Sequence, residues 1–256
     1  MKKILSISIL AITALIGCGG GGGGSSAPVP QQYADGIWVG STTSSNGSIT
    51  PAIGLILDTG EYFFATRSDY SGVSFGNATV SGNTISSSNF KDYYPSLSAF
   101  VSGTINGTVT TQSSINVNVV EYYNGTTYTG TGAFTFNSQY NEISSLATIA
   151  GNYVSPNAFL NQYSYSVDAN GNLTGQTTKC SFTGQVTIRN TSKNMYNLSL
   201  STSNRGGNVC EAGTRILNGV ATYVVLPGRT QRALALVTIA TSGNYYYWVT
   251  AAGEKI

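Results

Sequence analysis

Few side chains in this sequence can do chemistry. Of 256 residues, 12 are Lys or Arg, 10 are Asp or Glu and none is His. Without histidine, Ser-His-Asp and Cys-His relays are out, and catalytic zinc sites lose their usual ligand. Hydrolysis would have to rest on carboxylates. Asp58-Thr59-Gly60, following the apolar run 53–57, is the triplet on which acid peptide hydrolysis places its aspartate. That chemistry needs two carboxylates sharing one proton, and the sequence has no second Asp-Thr/Ser-Gly, so only a homodimer would supply the pair. Asp and Gly are also what a tight hairpin uses, Asp to bond its own backbone and Gly to take positive φ. The hairpin is the favoured reading, no enzymatic activity is expected, and no metal or cofactor is called for.

Aromatic side chains are the other candidates. Among 17 tyrosines, clusters fall at 62–64 (YFF), 93–94 (YY), 122–123 (YY) and 245–248 (YYYW). Aromatics on a neutral Asn/Thr-rich surface suit sugars or peptides, but strand alternation sends every second one into a core. Tyr93 and Tyr94, beside Lys91, Asp92 and Pro95, are the candidate ligand-binding pair. Nucleic-acid binding is not expected, because the basic residues are scattered rather than gathered into a stripe.

The elements that position these residues are strands. Charged residues make up 9% of the chain, well under the roughly 25% of an ordinary soluble domain. Gly, Ser, Thr, Asn and Tyr dominate, which is strand-and-turn material. Short alternating or β-branched runs are broken by Gly, Asn or Asp every 8–12 residues, and no dozen-residue window keeps a helical apolar stripe. The expected fold is all-β: two tandem small antiparallel β-barrel or sandwich lobes after a disordered Gly-rich tether. The N-terminal lobe is assigned to 36–143 and the C-terminal lobe to 144–256. Each has about 100 residues and six to eight strands, enough for its own core. A membrane-spanning barrel needs lipid-facing runs of about ten residues, and these runs read as shorter.

The lobes look weakly repeated. GIWV at 36–39 matches GNYV at 151–154, and the turn at Asp58 matches that at Asp168, offsets of 115 and 110. FVSGTI at 100–105 resembles FTGQVTI at 182–188, and NVNV at 116–119 resembles NLSL at 197–200, both at 81. The fall in offset predicts an insertion of about 30 residues in the first lobe, near 69–99, that would carry Tyr93 and Tyr94.

Residues 1–17 read as an export signal: Lys2 and Lys3, then a largely apolar run from Ile4 to Ile16, too short for the about 20 residues of a membrane helix. The run ends in Leu15-Ile16-Gly17-Cys18, which resembles the lipobox of bacterial lipoproteins. The resemblance implies a diacylglycerol on the Cys18 sulfur, cleavage before Cys18 and a membrane lipid anchor. Gly19, where an Asp would signal inner-membrane retention, implies the outer membrane, facing the periplasm or the cell surface. Residues 18–35, with six glycines after the cysteine and then Ser, Ala, Pro and Gln, read as a flexible tether.

Removing the signal leaves ten acids and ten bases. Residues 19–150 carry seven acids and two bases, while 151–256 carry three acids and eight bases. Net charges of −5 and +5 suggest lobes that attract each other. Export to an oxidising compartment leaves Cys180 and Cys210 as the two free thiols, and a disulfide closing that loop is expected to contribute about 3–4 kcal/mol. SSLATIAG at 144–151, CSFTG at 180–184 and MYNL at 195–198 resemble a group of two-lobed Gram-negative lipoproteins. The expected function is a non-enzymatic binding or structural module of the cell envelope, with an envelope protein or glycan as partner. The alternative is a periplasmic inhibitor or immunity-type lipoprotein that neutralises a hydrolase or toxin.

Overall fold

A computed structural model describes residues 30–66, 72–94, 99–154, 163–210, 212–242 and 245–256, and for 241, 242, 245–248 and 250 the backbone alone. The signal 1–17, Cys18, the glycine run, Arg67, Asp69, Pro95 and Glu211 lie outside the described residues.

The chain is all-β, with two antiparallel eight-stranded barrels in tandem. The first uses β1 (Gly36–Ser44), β2 (Ile49–Ile56), β3 (Glu61–Thr66), β4 (Gly72–Asn77), β5 (Thr79–Ser81), β6 (Thr84–Tyr94), β7 (Ala99–Thr110), β8 (Ser114–Tyr123) and β9 (Thr126–Asn137). Sequence neighbours pair in turn, β9 returns to β1, and β4 and β5 both pair β6, so together they act as one bent staff. A single 3-10 turn (Ser138–Asn141) and one α turn (Leu146–Ile149) lead to the second barrel. That barrel closes through β10 (Gly151–Val154), β11 (Ser164–Val167), β12 (Asn172–Gln176), β13 (Cys180–Asn190), β14 (Met195–Asn204), β15 (Ile216–Val225), β16 (Arg232–Ser242) and β17 (Tyr245–Lys255). Closure leaves the second sheet without an open edge, and in the first only the three-residue β5 pairs on one side alone.

The two barrels begin alike. Trp38 donates from Nε1 to the Ala34 carbonyl, 2.8 Å, and Tyr153 donates from its hydroxyl to the Ile149 carbonyl, 2.5 Å, each four residues back. The Asp58 and Asp168 hairpins end in Gly60 and Gly171, at φ +86° and +83°. Their carbonyls accept from Ala78 and Val186 respectively, both at 2.8 Å. Ala78 joins β4 to β5 and Val186 lies in β13, so those staves correspond. The expected insertion is therefore absent: the offset of 81 aligns the sixth stave of one barrel with the fourth of the other. The match pairs staves at different places in their barrels, and Gly/Thr/β-branched alternation recurs on any stave.

Strand length also departs from expectation. Strands β6 to β9 run 10 to 12 residues, because glycines read as breaks (Gly103, Gly107, Gly130, Gly132) sit inside strands. Length therefore does not argue against a spanning barrel, but the faces do. The outward side of β7 carries Ser102, Thr104, Asn106 and Thr108 after Phe100, and that of β8 carries Asn116 and Asn118 before Val120 and Tyr122, so neither strand presents the continuous apolar face that lipid requires.

The barrels are packed together. Outward side chains of the first (Ile37, Ile53, Leu55, Ala65, Val73) and outward ones of the second (Met195, Val220, Val224, Ala233, Val237) form one buried apolar cluster. Charge pairs ring it: Arg189 meets Asp58 at 2.9 Å, and Arg232 grips Glu142 through two bonds of 2.5 and 2.6 Å. Two bases of the second half, Arg189 and Arg232, thus meet two acids of the first, Asp58 and Glu142. Exposed pairs of this kind contribute only about 0–1 kcal/mol each, so the apolar cluster dominates the attachment. Gln32, Ala34 and Asp35, in the stretch read as tether, are bonded to barrel one: Gln32 bonds Gly82 and Thr111, and Asp35 accepts from Tyr140 at 2.9 Å.

Candidate functional site

The two interiors differ in kind. In the second barrel, among the described residues, the inward side chains of Tyr153, Leu173, Phe182, Val186, Tyr196, Leu200, Leu217 and Leu234 are all buried and pack the bore. Tyr153 stacks on Tyr165 with ring centres 5.1 Å apart, and the Tyr165 hydroxyl bonds the Leu234 carbonyl and the Gly253 amide, so its polar tip is satisfied. In the first barrel, one half is packed likewise by Trp38, Ile56, Tyr62, Val109 and Ile115. The Gln32–Ala34 segment is tied across that end, Tyr33 donating its amide to Thr111 Oγ1 at 2.8 Å. The other half is hollow. Its inward positions include Thr42, Ser44, Thr50, Thr66 and Gly130, residues with too little volume to meet across the bore.

The result is a cavity of about 780 Å³ entered from the end opposite Gln32–Ala34, within the ~300–1,000 Å³ of small-ligand sites. Phe64, Ile105, Val119 and Phe134 line its apolar wall. Three polar groups interrupt that wall near the mouth. Glu121 is only 7% exposed and accepts from the Tyr94 hydroxyl at 2.7 Å. Asp92 accepts from Ser74 Oγ at 2.5 Å. Burial pushes the Glu121 carboxyl above the usual carboxylate range, partly offset by the Tyr94 bond. Burial, then the Glu121 bond and the charges of Glu121 and Asp92, push the Tyr94 hydroxyl well up, so Tyr94 stays a donor.

The sequence-derived candidates fare unequally. Tyr93 and Tyr94 are the last residues of β6, on opposite faces. Tyr94 lines the cavity, whereas the Tyr93 ring packs 5.3 Å from Phe100 on the outer wall, reaching only the rim. Neither sits on an insertion. Tyr62 and Phe64 point inward and Phe63 outward; the side chains of 245–248 lie outside the described residues. Asp58 occupies the β2–β3 hairpin, with a guanidinium rather than a second carboxylate against it, and its bond to Arg189 holds it below the ordinary carboxylate range. Cys180 and Cys210 form a disulfide, tying the start of β13 to the loop before β15. Among the described residues no cluster of three metal-ligating side chains occurs, and no helix is long and apolar enough to cross a membrane.

Sequence reasoning passes over Glu121 and Asp92 as site residues, although a signal exists. Ile115, Val117, Val119 and Glu121 are alternate residues of one strand, as are Phe90, Asp92 and Tyr94. A carboxylate continuing an apolar alternation is an inward carboxylate. Comparison with protein-family models, curated proteins and solved structures returns no match for this chain.

Proposed function

We propose that this protein is a non-enzymatic lipoprotein of the outer membrane, anchored through Cys18, whose first barrel holds a small and largely apolar ligand. The observation that supports it is the contrast between two barrels of one design, one filled with Leu and Tyr and one hollow. An eight-stranded barrel is just wide enough for side chains to fill or for one small ligand to occupy. Core packing leaves few voids larger than a water molecule, so a bore of about 780 Å³ whose apolar wall is interrupted by small Thr and Gly positions is a chamber rather than an unfinished core. The filled barrel serves as the base on which the hollow one is held. The lipobox Leu15-Ile16-Gly17-Cys18 supports the anchor, acyl chains contributing ~0.8 kcal/mol per buried methylene. Gln32 and Tyr33 bond the closed end of barrel one, so the chain arriving there leaves the mouth at the other end clear.

The test has two arms. Cys18→Ser should abolish palmitate incorporation and leave an unprocessed precursor; normal labelling of that variant would defeat the anchor. Native mass spectrometry of the protein released from envelopes should show a copurified molecule, absent from a Val119→Trp variant whose indole occupies the chamber. An identical adduct pattern in both proteins would place the ligand elsewhere.

A further inference from the structure

The hollow half of the first barrel has two unlike walls. The inward rows of β1, β2 and β3 run from Trp38, Ile56 and Tyr62 in the packed half to Thr42, Thr50 and Thr66 in the hollow one. Thr42 and Thr50 are direct cross-strand partners, and Thr66 pairs with Ala52, the next inward residue of β2. Ser74 of β4, opposite Phe64, continues the row. In a closed ring of eight staves, those four apart face each other across the bore, so β1 faces β6, β2 faces β7 and β3 faces β8. Inward of the Glu121 and Asp92 carboxylates, those facing staves present Phe90, Ile105 and Val119. One side of the chamber is therefore hydroxyl and the other hydrocarbon. An eight-stranded bore holds one small ligand, so its occupant touches both sides at once. A straight acyl chain is apolar all round. Laid against Thr42, Thr50 and Thr66, it would strip water from hydroxyls that carry one donor and two acceptor positions each, and offer nothing in return. A sugar, with hydroxyls around its whole edge, would press some of them against Phe90 and Val119.

Resting on the chamber as a ligand site, we propose that its occupant is a rigid fused-ring lipid, of the steroid or terpenoid kind, whose hydroxyl groups lie on one face. The hydroxylated face meets Thr42, Thr50 and Thr66, and the hydrocarbon face packs on Phe90, Ile105 and Val119. A rigid skeleton holds its hydroxyls on one side with few rotamers to lose on binding. The two walls then read which face an oxygen occupies as well as how apolar the molecule is.

The experiment uses the full chain carrying Cys18→Ser, so that no acyl anchor competes for the chamber, loaded with the fluorescent probe N-phenyl-1-naphthylamine. The competitors are two neutral steroid tetrols of identical composition: reduced cholic acid, whose three ring hydroxyls share one face, and reduced ursocholic acid, its epimer with one of them turned to the other face. Dodecanol, which has no faces, reports on the chamber itself. The one-faced tetrol should displace the probe at concentrations about ten-fold below its epimer. Thr50→Val and Thr66→Val remove a hydroxyl and leave a good strand former in its place, and each should shrink that ratio. Equal displacement by the two epimers, or a ratio that survives both substitutions together, overturns the two-faced ligand, and displacement by dodecanol would still leave the chamber standing. The comparison of epimers on the parent chain needs neither substitution to fold. Failure of the protein to take up the probe or any competitor would remove the chamber as a ligand site, and this inference with it.

Discussion

If one barrel is filled and the other hollow, truncating matched inward side chains should cost unequal amounts. Leu200 and Ile105 are isomers, each losing three carbons on replacement by alanine. Leu200 is fully buried among the inward residues of barrel two, whereas Ile105 is partly exposed and lines the chamber. The transfer term is common to both: three carbons at about 0.8 kcal/mol each, or about 2.4 kcal/mol, somewhat less for Ile105 because part of it already meets solvent. Leu200→Ala adds a cavity term, because the surrounding side chains relax only in part, at about 24 cal/mol per Å³ of void left behind. Ile105→Ala adds almost none, since it enlarges a space that already exists. We expect about 4 kcal/mol for Leu200→Ala and about 2 kcal/mol for Ile105→Ala. Urea denaturation followed by tryptophan fluorescence measures both, with unchanged slopes showing that each acts on the folded state. Costs within about 0.5 kcal/mol of each other would mean that Ile105 is packed as tightly as Leu200, and the hollow interior would be wrong.

Three further outcomes follow from named contacts. Replacing Cys180 or Cys210 by alanine should cost about 3–4 kcal/mol, and the double variant hardly more, because both remove one bond; free thiols in the exported wild type would contradict this. Asp58→Asn should fold normally, lose at most about 1 kcal/mol at pH 7 and leave probe binding intact. Because Arg189 lowers the Asp58 carboxyl, the stability it adds is present above the unfolded value and fades as pH falls through the folded one, so wild type and variant should converge in acid. Glu121→Gln, keeping an acceptor for Tyr94, should stabilise the ligand-free protein at neutral pH. The raised Glu121 carboxyl, faced by Tyr94, Asp92 and Tyr128, weakens the fold once ionised, so this gain should vanish as pH drops below its folded value. A thermal melt showing Glu121→Gln less stable at pH 7 would refute it.

The all-β class, two tandem units, the Asp58 and Asp168 hairpins and the disulfide were legible because each rests on local chemistry: alternation, Asp-Gly turns and paired thiols. The opening match of Gly36 with Gly151 reflects a shared geometry in which the third residue, Trp38 or Tyr153, plugs its barrel by bonding four residues back. Strand lengths were not legible, since a glycine facing the bore at Gly103 or Gly130 looks the same in sequence as one making a turn. Of the docking of the barrels only the opposite charges of the two halves were legible; the apolar contact that dominates it depends on outward Val and Ala residues ordinary on any one strand. The chamber was least legible. Emptiness belongs to no residue; it arises because Thr42, Thr50, Thr66 and Gly130, distant in sequence, share one level of one barrel. Only Tyr94 of the candidate pair pointed toward it.

The measurement closest to the central claim is titration of the Cys18→Ser chain and its Val119→Trp variant with N-phenyl-1-naphthylamine. The chamber predicts saturable one-to-one fluorescence enhancement in the first and none in the second, with both proteins equally folded by circular dichroism. Enhancement that never saturates, or that is unchanged when the indole introduced by Val119→Trp fills the bore, would contradict a ligand chamber in the first barrel.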